Sequence, residues 1–113
     1  MGFPQTLVAQ GDELMTGSPI ALFDSSDSNA MHRQAIIYYD QLSGGTETLV
    51  VKVEIMRFVD DAWFQIDSFT VDGSMTNKAK LIEFISIKGL KVTVTQVGGS
   101  LGVRHIKWEV HKI

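Results

Sequence analysis

The stretch from Thr46 to Phe58, TETLVVKVEIMRF, constrains this chain more than any other. Leu49, Val51, Val53 and Ile55 fall on one parity, and Thr48, Lys52 and Glu54 on the other, with Val50 and Met56 as apolar exceptions. Side chains alternate across a β-strand with a period of two, so the stretch predicts a long, half-buried strand and no amphipathic helix. The same signature recurs with turn residues between. Ala35 to Tyr39, Trp63 to Val71, Leu81 to Ile87, Leu90 to Gln96 and Ile106 to Val110 all read as strands, and Gln5 to Ala9 and Pro19 to Phe23 as shorter ones.

Turn chemistry separates them. Gly11-Asp12-Glu13, Thr16-Gly17-Ser18, Asp40 to Gly45, Asp60-Asp61 and Asp72-Gly73-Ser74 read as turns, and Asp24 to Asn29 as a polar loop. Met75 to Lys80, with Thr76-Asn77 available as a cap, is the one place suited to a short helical turn. In Trp63 to Val71 the face assignment changes partway, which predicts a bulge or bend near Asp67-Ser68. About eight strands at such spacing predict an all-β fold, a single-domain antiparallel β-sandwich over residues 1–113. It is jelly-roll-like ahead of immunoglobulin-like, with residues 1–30 less regular.

Composition bounds the function. With 113 residues a single core is feasible, and 44% hydrophobic content supplies it. Ten Lys and Arg against 13 Asp and Glu leave no basic footprint, so no nucleic-acid partner is expected. No segment approaches the roughly 20 apolar residues of a membrane span. The start, MGFPQTLVAQGDEL, lacks the basic and apolar regions of a signal peptide. Gly2 and Thr6 make only a loose lipidation pattern, interrupted by Pro4. Without cysteine, thiol catalysis and zinc-thiolate sites are excluded within these residues.

No reactive constellation stands out, and no enzyme, cofactor or metal is expected. His105 and His111 share a strand face but lie about 20 Å apart, too far to hold one ion. His32 has no spacing to either. Asp24 to Asn29 superficially resembles a calcium loop but lacks its glycine and distal glutamate. Gly98-Gly99-Ser100-Leu101-Gly102 matches a nucleophile elbow as a string, yet strands flank it where the elbow needs strand and helix. It reads instead as the wide turn of a closing hairpin.

What remains are surfaces. The last strand carries His105, Lys107, Glu109 and His111 on one face and Ile106, Trp108 and Val110 on the other, so Trp108 is expected inside. Leu81 to Ile87 is apolar on both faces, which suits a central strand or one packed on a second subunit. The residues expected at an interface are Ile82, Phe84, Trp63, His105, Lys107, Glu109 and His111. A second reading, a carbohydrate-binding module, would stack sugars on Trp63 and Tyr39 beside a calcium held at Asp24 to Asn29.

Tyr38 to Arg57, together with Leu90 to Gln96 and Ile106 to Val110, resembles the small β-sandwich virion-associated proteins of tailed bacteriophages and archaeal viruses. The resemblance covers about two thirds of the chain as a pattern, and no functional residue carries over. It implies a non-enzymatic structural protein of the virion, a capsid or decoration subunit. Such a subunit would be assembled in the host cytoplasm as a homo-oligomer, with a major capsid protein as its further partner.

Overall fold

The computed structural model describes residues 6–112, and at 6, 25–31, 85 and 86 it describes the backbone alone. Six antiparallel strands follow one another: β1 (Thr6–Leu14), β2 (Ile20–Tyr38), β3 (Gly44–Met56), β4 (Trp63–Gly73), β5 (Ala79–Gln96) and β6 (His105–Lys112). They form one hydrogen-bonded order, β1-β6-β2-β5-β3-β4.

Two of them are long. β2 has 19 residues and β5 has 18, and both run through two layers. The first half of β2 pairs with the second half of β5, from Ile20 opposite Val94 to Ser26 opposite Gly89. Its second half pairs with the first half of β5 and also with β6. Between them the register shifts around Met31, where the sheet passes from one layer to the other. One layer is therefore β1-β6-β2 (second half)-β5 (first half), and the other β2 (first half)-β5 (second half)-β3-β4.

Numbered along the chain, these eight segments lie in the orders 1-8-3-6 and 2-7-4-5. That interleaving is a jelly roll, the first of the two sandwich types expected. Eight strand-like segments are present, but two pairs of them are continuous strands.

Period two places the core between the layers. Leu49, Val51 and Val53 of β3 face inward beside Leu90, Val92 and Val94 of β5, and Ala35, Ile37, Ile106 and Val110 close them from the other layer. All of these are buried. Burying each Val, Leu or Ile side chain in such a core contributes about 1.5–3 kcal/mol.

Four local expectations give way to the structure. Gly11-Asp12-Glu13 is extended strand, because β1 keeps its register with β6 from Gly11 opposite Trp108 to Leu14 opposite His105. Asp24 to Asn29 lies within β2, since its backbone pairs with β5 on either side of the layer crossing. Met75 to Lys78 forms no helical turn: Asp72 draws Ser74 into a tight turn, and the chain re-enters the sheet at Ala79. The final two strands are no hairpin, because β5 ends in one layer while β6 pairs with β1 and β2 in the other. The expected bulge is present one residue early. Val53 faces Asp67 while Glu54 faces Gln65, which leaves Ile66 unpaired. No helix among the described residues is long and apolar enough to cross a membrane.

Candidate functional site

The outer face of the β1-β6-β2-β5 layer gathers most of the polar chemistry. Register dictates this. Gln10 stands opposite Glu109, Asp12 opposite Lys107, Leu14 opposite His105, and Tyr38 opposite Lys107 on the other side. All share the parity that points away from the core.

These side chains pair laterally. The Tyr38 hydroxyl donates to Glu109 Oε1 at 2.6 Å, and His111 Nε2 lies 3.5 Å from the same oxygen. His105 Nδ1 lies 2.7 Å from Asp12 Oδ1, and the His105 amide donates to Gln41. His32, on the same layer, lies 3.7 Å from Glu83. Each of the three histidines thus has a carboxylate neighbour. Among the described residues no group of three metal-ligating side chains converges. The Glu109 carboxylate, by accepting the Tyr38 hydroxyl, holds that phenol above its usual pKa, and burial and the carboxylate charge add to the effect.

Between these rows lies an open groove of about 790 Å³. Gln10 and Asp12 of β1, Lys107 and Glu109 of β6, and Tyr38 of β2 line it, with Asp40, Lys78 and Ala79 at one end. Gly11, between Gln10 and Asp12, falls on the opposite, inward parity, facing Trp108. A Cβ there would meet the Trp108 indole at 2.5 Å, so Gly11 makes room for that ring. Trp108 is half-buried and packs against the core on the Ile106 and Val110 side.

A second polar cluster lies at the end of the sandwich where β3 begins. Glu47 is buried, and its carboxylate accepts from the Arg104 guanidinium at 2.8 Å, the Ser43 amide at 2.6 Å and the Ser100 amide at 3.3 Å. Arg104 first, then the two amides, hold its pKa below the ordinary carboxylate range against the opposing effect of burial. The buried Gln96 side chain donates to the carbonyls of Gly98 and Ser100. Gly98-Gly99-Ser100-Leu101-Gly102 is therefore a fixed connection between layers, wound around a carboxylate. Gly99 and Gly102 take positive φ, which glycine adopts without penalty.

The residues expected at an interface are dispersed. Ile82 lies in the core and Phe84 packs against it, both on the first half of β5. Trp63 begins β4 in the other layer, half-buried, with Lys91 Nζ 4.7 Å from its ring centre. His105, Lys107, Glu109 and His111 do share one outer face. The sugar platform of Trp63 and Tyr39 does not form, because Tyr39 is buried with its hydroxyl toward Ala79 O. In the calcium reading, Asp24 is exposed, and the side chains of 25–29 lie outside those described, as does Gly2 of the lipidation pattern.

Sequence reasoning named Tyr38 among the aromatics of a possible sugar platform but missed Glu47 and Gln96. Both left a signal: they fall on the inward parity of Leu49 and Val94, where a polar residue must find partners.

No family model and no curated protein matches the chain. Among solved structures it is similar to a chain of the Bacillus endospore appendages, described as a novel family of disulfide-linked pili. The TM-score is 0.53 at 10% identity, over 96% of this chain and 86% of that one. At that identity the likeness is one of fold. A chain from infectious bursal disease virus Gt strain aligns at TM-score 0.42 and 15% identity. The alignment takes in 96% of this chain but only 32% of the viral one, and adds nothing to the fold assignment.

Proposed function

We propose that this chain is a non-enzymatic structural subunit that works by assembling with copies of itself, in a virion as a capsid-associated or decoration protein. One observation carries the reading: both ends of the sandwich expose apolar side chains, and the two ends differ. At the β3–β4 end Phe58 is 54% and Val59 85% exposed, with Phe64 beside them. At the other end Leu101 and Val103 of the β5–β6 connection are 51% and 55% exposed, next to Leu14 and Val97. Clustered exposed apolar residues mark contact surfaces. Two dissimilar patches at opposite ends favour a head-to-tail contact, which closes into rings or extends into filaments.

The jelly-roll order supports the reading without deciding it, because the same architecture serves capsid domains, lectins and cupins. Mostly aliphatic side chains, with Phe23 and Tyr39, fill the space between the layers. These residues contain no cysteine, so such assembly would rest on packing and polar contacts.

Sedimentation across a concentration series, with electron microscopy of the top fraction, tests the proposal. Assembly should appear as mass well above 12.5 kDa, and Val59→Asp or Leu101→Asp should each lower it. A monomer at about millimolar concentration, where even weak contacts of about 4 kcal/mol would be populated, would sink it.

A further inference from the structure

We propose that the groove on the outer face of the β1-β6-β2-β5 layer binds a neutral oligosaccharide. The proposal is independent of self-assembly, which uses the ends of the sandwich and leaves this face open.

Size is the first argument. The groove, at about 790 Å³, falls within the roughly 300–1,000 Å³ of small-molecule sites. Its charge pattern is the second. Carboxylates of Asp12, Asp40 and Glu109 and amines of Lys78 and Lys107 line one opening. An anionic ligand would meet three carboxylates and a cationic one two amines. A neutral polyhydroxyl chain can donate to the first group and accept from the second.

Availability is the third. Asp12, Glu109 and Lys78 already have partners, whereas Gln10, Asp40 and Lys107 make no side-chain hydrogen bond or ion pair among the described residues. An amide, a carboxylate and an ammonium therefore stand ready around the groove, offering donors and acceptors together. Tyr38 supplies an aromatic ring in its wall, fixed by the bond to Glu109, and aromatic rings combine apolar area with a polar edge. Ala79, opposite Tyr38 on the same face, adds only a methyl group to the lining.

The test is an amide NMR titration of the full chain with maltotriose, cellotriose and triacetylchitotriose, and with 3′-sialyllactose beside lactose as the charged comparison. We expect saturable shifts with at least one neutral sugar, at dissociation constants of about a millimolar, centred on Gln10 to Asp12, Tyr38 to Asp40 and Lys107 to Glu109. Tyr38→Ala should weaken binding about tenfold and Lys107→Ala severalfold, while Tyr38→Phe, which keeps the ring, and Trp63→Ala, on the other layer, should stay within about threefold. If Tyr38→Ala does not fold, Lys107→Ala and Tyr38→Phe carry the test. The proposal is overturned if no neutral sugar gives saturable shifts up to about 20 mM. It is also overturned if the shifts map elsewhere, if Lys107→Ala binds as well as the parent, or if sialyllactose binds more tightly than lactose.

Discussion

Replacing Gly11 by alanine tests the register on which the outer groove depends. The methyl group would sit 2.5 Å from Trp108 Nε1, 2.7 Å from Cε2 and 2.8 Å from Cζ2, where ordinary contact begins at 3.4 Å. The indole must therefore move by nearly an ångström. It packs against the core on one side, so it cannot do so freely. Overpacking of this kind costs about 1–3 kcal/mol. The smaller entropy of the unfolded alanine chain returns about 0.4–1 kcal/mol. The net loss is about 1–2 kcal/mol, and at about 2.1 cal/mol/K per residue for 113 residues that lowers Tm by roughly 4–8 °C. Calorimetry reads the Tm. In a Trp63→Phe background, Trp108 is the sole tryptophan and its emission reads the displacement. Trp108→Phe, which removes the clashing atoms, should make Gly11→Ala nearly neutral, so the double-mutant cycle gives a clear coupling energy. A stabilised Gly11→Ala with unchanged Trp108 emission would refute the pairing of Gly11 with Trp108. A one-residue slip there would turn His105, Lys107 and Glu109 inward.

Ile106→Ala should remove about 2–5 kcal/mol, a fall of about 8–20 °C in Tm, because its site is fully enclosed and cannot collapse. Gly73→Ala places a methyl 2.5 Å from the backbone of Leu42 and Ser43, and soluble yield should drop sharply, since backbone has no rotamer by which to yield. The Glu47 carboxylate has its pKa lowered by Arg104 and the neighbouring amides. Its contribution to stability is therefore complete above the unfolded value of about 4.5 and is lost as pH falls through the lower folded value. Melting curves between about pH 2 and 6 should show a shallower acid decline for Glu47→Gln than for the parent, and parallel curves would remove Glu47 from the acid response.

The layers were legible in the sequence because alternation marks most of the long strands, and Leu49, Val51, Val53 and Ile55 state it with Val50 as the single apolar exception between them. What it could not show is where a strand leaves one layer for the other. β2 and β5 each change layer without a break in chain direction, and Asp24 to Asn29 looks like a loop because six polar residues in a row carry no apolar alternation. The closing hairpin failed for a related reason. Two strands joined by a glycine turn pair locally unless their inner faces are claimed by different partners, and here β3 holds the end of β5 while β1 and β2 hold β6. The face of the last strand was readable, but its use was not. His105, Lys107 and Glu109 become a groove only through Gln10, Asp12 and Tyr38, which lie between about 65 and 100 residues away along the chain. A separation of 57 residues likewise hides Glu47 from Arg104, although a carboxylate on the parity of Leu49 already required such a partner. In this fold, then, a polar residue on an inward parity predicts a clamp that fixes a loop, whereas a polar row on an outward parity gains a role only from the strands that the topology sets beside it.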